Sequence, residues 1–138
     1  MSPVRSFDAP RARRAPTSVS GRTLGGESVT HELHGPTLVV AVKSSCDGCR
    51  DFVHSDLEEL GDVTVLIVSP TDDLLGEWEG AAQPVTVAPD ALDALGVRWP
   101  PFYVLIDPEE QRVVVEGVVF GPAQVAAEIA PYLSRWGR

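Results

Sequence analysis

A chain of 138 residues with 43 % apolar content has the size of one domain and can bury about two-thirds of its unfolded surface, so its two cysteines are not needed as staples. A net charge of −9 argues against a nucleic-acid partner. No run of ~18 apolar residues exists, and Pro10, Pro16, Ser18, Ser20 and Gly21 occupy the place where a secretory leader needs its hydrophobic region; the expectation is a soluble, cytoplasmic protein with no membrane partner.

The first 15 residues mix Pro, Arg and Ser without periodicity and are expected to be a disordered tail, leaving 16–138 as the folded domain. Thr17–Thr23 and Glu27–Thr30 read as short strands around the turn Leu24-Gly25-Gly26. The continuous apolar run Thr37–Val42 predicts a strand buried on both faces. A helix is expected from Asp47 onward, with Cys49, Phe52, Val53, Leu57 and Leu60 on one face and Gly61 as its stop. Val63–Val68 is a second buried strand, Thr71–Trp78 a short helix, Val85–Val87 a third strand, and Pro89–Leu95 a helix with proline in its first turn and Gly96 after it. Phe102–Ile106 and Val113–Phe120 form a hairpin across Pro108–Gln111. Gly121-Pro122 opens a last helix whose Val125, Ile129, Leu133 and Trp136 make one stripe, with Pro131 expected to bend it. Strands alternating with helices and closing on a hairpin and helix imply an α/β fold, a mixed sheet flanked by helices.

Chemistry concentrates at Cys46-Asp47-Gly48-Cys49, which holds both cysteines of the chain at a strand-to-helix junction. Residues three apart on a first helical turn have Cα atoms roughly 5–6 Å apart, within the ~4.4–6.8 Å that a disulfide needs. Cys46 caps the helix, where unpaired N–H groups favour a thiolate that attacks disulfides. Cys49 faces inward and would resolve the mixed disulfide by attacking Cys46. The pair could instead be an inert bridge, a metal site or two small buried hydrophobes. A metal fits poorly: His54 lies about 12 Å along the helix from Cys46, and no second CxxC or HxxxH completes a tetrahedral site.

Three segments carry a resemblance: Thr23–Val29 with Leu33–Pro36, the Cys46–Cys49 motif, and Leu95-Gly96-Val97-Arg98-Trp99-Pro100-Pro101 leading into Phe102–Asp107. In this order they resemble the thioredoxin-like superfamily, and within it the TlpA-type thiol-disulfide oxidoreductases, over about residues 17–135. The resemblance implies a thioredoxin fold with an N-terminal strand extension and makes Pro101 the cis-proline, with Trp99, Pro100 and Pro101 at the substrate site. From the residues alone, Pro100-Pro101 could merely start an edge strand, and Trp99 could be groove wall or core filler. Trp78 and Trp136 read as packing residues. The chain departs from the pattern at Ser45, where the family has an aromatic residue, at Asp47-Gly48 inside the motif, and at Val40, where thioredoxins bury an acid. Asp51, Asp56 and Glu58 are poor substitutes for that acid; Lys43 and Arg50 are close enough in sequence to favour the Cys46 thiolate or are ordinary surface charges, while Asp47 opposes it.

The expected function is a protein-disulfide reductase with Cys46 and Cys49 as catalytic dithiol, contributing to antioxidant defence and cell redox homeostasis. No cofactor or metal is implied. The partners would be a protein or small-molecule disulfide and an upstream reductase, acting on a monomer. Two rivals are a binding or accessory module of the same fold with little turnover, and a dithiol peroxidase. Ten arginines against a single lysine, with abundant Ala, Gly, Pro and Val, fit a GC-rich bacterial genome.

Overall fold

The computed structural model describes residues 14–73, 76–81, 83–97 and 99–136, the side chains of Arg135 and Trp136 excepted. Residues 1–13 of the expected tail, Leu74 and Leu75 of the expected short helix, and the Trp136 end of the last apolar stripe lie outside what is described. In chain order the elements are β1 (Ser18–Thr23), β2 (Ser28–Glu32), β3 (Thr37–Ala41), α1 (Asp47–Val53), a 3₁₀ turn (Glu58–Leu60), β4 (Thr64–Ser69), β5 (Val85–Val87), α2 (Pro89–Leu95), β6 (Phe102–Asp107), β7 (Arg112–Val118) and α3 (Pro122–Trp136).

The strands join in one sheet ordered β2-β1-β5-β4-β3-β6-β7. Parallel pairing of β3 with β4 and of β4 with β5 forms its centre, and the remaining pairs are antiparallel. Every residue of β3 is buried, and the two-residue period of a strand divides its side chains between two cores. Leu38, Val40 and Val42 face Cys49, Phe52 and Val53 of α1 and Val125 and Ile129 of α3. Val39 and Ala41 face Leu92 and Leu95 of α2. A mixed sheet between helices is therefore observed, with the β1–β2 hairpin as its N-terminal extension.

Four boundaries differ from expectation. The helix that starts at Asp47 stops at Val53 instead of running to Leu60, because Ser55 turns back on Phe52, its N–H and its hydroxyl both donating to that carbonyl at 3.1 and 2.7 Å. Asp56 then accepts from the Glu58 N–H at 2.9 Å and opens the 3₁₀ turn; short polar side chains compete with the helical ladder in this way. Leu60 nevertheless reaches the same core. No helix forms among the described residues of 71–78: the Asp73 carboxylate accepts from the N–H groups of Glu77 and Trp78 at 2.7 and 2.9 Å, fixing a turn that buries Trp78. Arg14 and Ala15, expected in the tail, are placed against the sheet: Arg14 forms a β-bridge with Arg112, and Ala15 is buried with its N–H donating to the Gln111 carbonyl at 2.7 Å. Finally, β7 ends at Val118 and not at Phe120, since the Gln124 amide of α3 takes over the ladder, donating to the Val118 carbonyl and accepting from the Phe120 N–H.

Candidate active site

β3 delivers the chain to the motif, and the Val42 N–H, donating to the Val68 carbonyl at 2.9 Å, extends the parallel pairing by one residue. The backbone then reverses at Ser45, whose φ of 63° is left-handed, a conformation costing a non-glycine residue roughly 1–2 kcal/mol. Its N–H is held by the Glu77 carboxylate at 2.9 Å. Cys46 follows in extended geometry as the N-cap of α1, and its Sγ accepts from the Cys49 N–H at 3.2 Å. The sulfur thus stands where a capping oxygen normally stands. Both cysteines are free thiols, Cys46 half-buried and Cys49 fully buried.

Burial is the main reason that the Cys49 thiol is pushed up to about 12, with its hydrogen bond to the Cys46 side chain adding to the effect and the Lys43 backbone opposing it. The two thiols are therefore unequal: one is reachable from solvent beneath the helix N–H groups, the other is packed among Phe52, Val53 and Trp78 in the core. Arg50 is engaged by Asp47 at 3.3 Å, on a surface where both side chains are at least half exposed. Their charges largely offset one another, and such a pair contributes little to stability. His54, considered above as a metal ligand, instead pairs through Nε2 with the Glu77 carbonyl at 2.7 Å. No group of three or more His, Cys, Asp or Glu among the described residues could hold a metal ion, and none of the described helices is long and apolar enough to cross a membrane.

Pro101 sits against the motif. A Cβ built on Gly48 would stand 3.5 Å from Pro101 Cγ, the Pro101 carbonyl accepts from the Val119 N–H at 3.0 Å, and the Pro100–Pro101 peptide bond is cis. Pro100 and Pro101 are half-buried, whereas Trp99 is 74 % exposed, which rules it out as core filler. The fold adds two residues that the sequence reading passed over. Val118, opposite Phe102 in the β6–β7 register, is exposed, and Phe120 is 84 % exposed two residues further on. Val119, between them, is bonded to the Pro101 carbonyl, so these two and Trp99, two residues before Pro101, are exposed apolar side chains close to it in the chain and the sheet. Phe120 had a signal: it follows buried Val119 in a strand-like run, so period-2 alternation turns it outward, where a polar residue is the norm. The Glu77 contact had none, for it depends on a loop 32 residues away.

No protein-family model matches the sequence, and no curated protein matches it. Solved structures do. The thioredoxin domain of a thiol-disulfide oxidoreductase from Bacteroides vulgatus superposes with a TM-score of 0.61 at 19 % identity, covering 87 % of this chain and 97 % of that one. A thiol:disulfide interchange protein from a Bacteroides species gives 0.61 at 19 % identity, over 89 % and 90 %. StoA from Bacillus subtilis gives 0.61 at 14 % identity, over 83 % and 97 %. The chain has the thioredoxin fold. Within that thioredoxin fold, Cys46, Cys49, Gly48 and Pro101 are gathered at one end of the sheet, where β3 leaves and β6 enters, while Trp99 flanks Pro101 in the loop before β6.

Proposed function

We propose that the protein is a thiol-disulfide oxidoreductase working as a disulfide reductase. The observation that carries this reading is the inequality of the two thiols: Cys46 accessible at the helix cap, Cys49 buried and pushed up to about 12. In the first step the Cys46 thiolate attacks a substrate disulfide, an S–S bond forms between Cys46 and substrate, and the substrate's own S–S bond breaks to release one thiolate, which takes up a proton. Cys49 then loses its proton and attacks Cys46 Sγ, closing the Cys46–Cys49 disulfide and releasing the second substrate thiol. Two electrons pass from the dithiol to the substrate. A dithiol reductase upstream would return them, with no cofactor of this chain's own.

Trp99, Pro100 and Pro101, joined by Val118 and Phe120, would bind the polypeptide that carries the disulfide. A cytoplasmic, monomeric reductase of a bacterial cell is the setting that agrees with the sequence. The test is insulin reduction, followed by turbidity, with dithiothreitol as the regenerating thiol. Turnover well above the dithiothreitol background, lost in Cys46→Ser, is expected. A background rate from folded, fully reduced protein would overturn the reductase and leave a binding module of the same fold.

A further inference from the structure

Glu77 lies outside the motif, 31 positions beyond Cys46 in the sequence, yet touches the backbone immediately before it. Its Oε1 accepts from the Ser45 N–H at 2.9 Å, its carbonyl meets His54 Nε2 at 2.7 Å, and its own N–H is held by Asp73 at 2.7 Å. Ser45 immediately precedes the N-cap of α1 and His54 is its C-cap, so one residue braces both ends of the short helix that carries the dithiol. The brace is anchored in turn, because the next residue, Trp78, is buried in the same core as Cys49.

We propose that Glu77 is a positioning residue for Cys46. Ser45 occupies a left-handed conformation that its side chain disfavours, and the carboxylate selects that conformation by accepting the N–H it exposes. Only with the chain reversed there does Cys46 fall at the cap with its Sγ beneath the Cys49 N–H. Without the clamp Ser45 relaxes toward negative φ, Cys46 swings from the cap, and its sulfur loses the Cys49 hydrogen bond. The role is carried by an acceptor oxygen at that position and requires no negative charge. The inference rests on the dithiol chemistry proposed above, but it concerns the reactivity of Cys46 whether or not the chain turns over disulfides.

The experiment measures the second-order rate of Cys46 alkylation by iodoacetamide across pH 5–10, in a Cys49→Ser background, alongside the rate of attack on a small aromatic disulfide. Glu77→Ala is expected to slow both by about tenfold at neutral pH, the upper end of the scale of one lost hydrogen bond, and to shift the alkylation profile to higher pH. Glu77→Gln retains an acceptor oxygen and should stay within about twofold of the parent. Ser45→Gly removes the conformational penalty and should restore most of the Glu77→Ala loss. Equal rates in Glu77→Ala and the parent would overturn the proposal; so would Glu77→Gln as slow as Glu77→Ala with no rescue by glycine. Should Glu77→Ala fail to fold, the Glu77→Gln profile and the Ser45→Gly, Glu77→Ala double variant decide the matter by the same criteria. Wild-type protein without insulin turnover but with these alkylation differences would remove the reductase and keep the clamp.

Discussion

Cys49 donates its backbone N–H to the sulfur of Cys46 at 3.2 Å while its own thiol is buried behind it. One residue therefore stabilises the attacking sulfur and supplies the thiol that later displaces the substrate. Cys46→Ser should abolish disulfide reduction, and Cys49→Ser should accumulate a mixed disulfide through Cys46. Mass spectrometry of partly alkylated protein should find Cys46 modified first, and faster labelling of Cys49 would reverse the roles.

Burial of the Cys49 thiol has a pH signature. In the unfolded chain that thiol ionises near ~8.5, and in the folded protein near about 12, so between these values the unfolded state has lost a proton that the folded state keeps. Its contribution to stability is fully present below the unfolded value and is lost as pH rises toward the folded one, at about 1.4 kcal/mol per pH unit. Urea unfolding of the reduced protein from pH 7.5 to 10 should show this slope, and Cys49→Ala should lack it. Measurement stops at pH 10 because Tyr103, raised by burial and by its bond to Glu128, adds a slope of the same sign beyond.

Tyr103 is buried and donates its hydroxyl to Glu128 at 2.6 Å, and that bond holds the Glu128 carboxyl below the usual carboxylate range. The associated stability is present above the unfolded value and declines as pH falls through the folded one. Tyr103→Phe should cost about 1 kcal/mol at neutral pH and flatten the loss of stability below pH ~4.3, the ordinary glutamate value, as urea midpoints would show.

Two glycines should answer oppositely to alanine. At Gly21 a Cβ would run into the Val87 carbonyl and come within 2.8 Å of Ala88 Cβ, so Gly21→Ala should destabilise by about 1–3 kcal/mol. At Gly48 the nearest atom is Pro101 Cγ at an ordinary 3.5 Å. There Gly48→Ala should gain about 0.5–1 kcal/mol from the helix backbone. Denaturant midpoints of the two variants should move in opposite directions.

Trp99 and Phe120 are exposed by 74 % and 84 %, so replacing either with alanine should change stability by less than about 0.5 kcal/mol. If they bind substrate, KM for insulin should rise several-fold in each variant with kcat nearly unchanged. Unaltered KM in both would move substrate binding elsewhere.

The two-faced burial of β3 was legible in its unbroken apolar run, and the placement of the dithiol in the junction that follows it. Pro89 and Gly96 bounded α2 by local rules alone, and Gly96 takes the left-handed C-cap those rules require. The early end of α1 was hidden because apolar spacing through Leu57 and Leu60 satisfied a helix equally well; Ser55 and Asp56 decided it through local hydrogen bonds. The segment Thr71–Trp78 reads as helix for a related reason, since the Asp73 carboxylate that sets the turn instead reaches four and five residues ahead to Glu77 and Trp78. Ser45 and Glu77 lie on different loops, and only the parallel packing of β3 beside β4 brings those loops together.

The β1–β2 hairpin has a consequence for life in a crowded solution. Val85, Thr86 and Val87 of β5 are all buried, and β1 pairs with this strand through Arg22 and Thr23. Stripped of the hairpin, β5 would be a short, sticky border offering unpaired amides to any passing chain, the usual seed of intermolecular sheet growth. With it, the border moves outward to β2, where Ser28, Thr30 and Glu32 are exposed. A polar, charged margin replaces an apolar one, and the molecule is better insulated from its own copies.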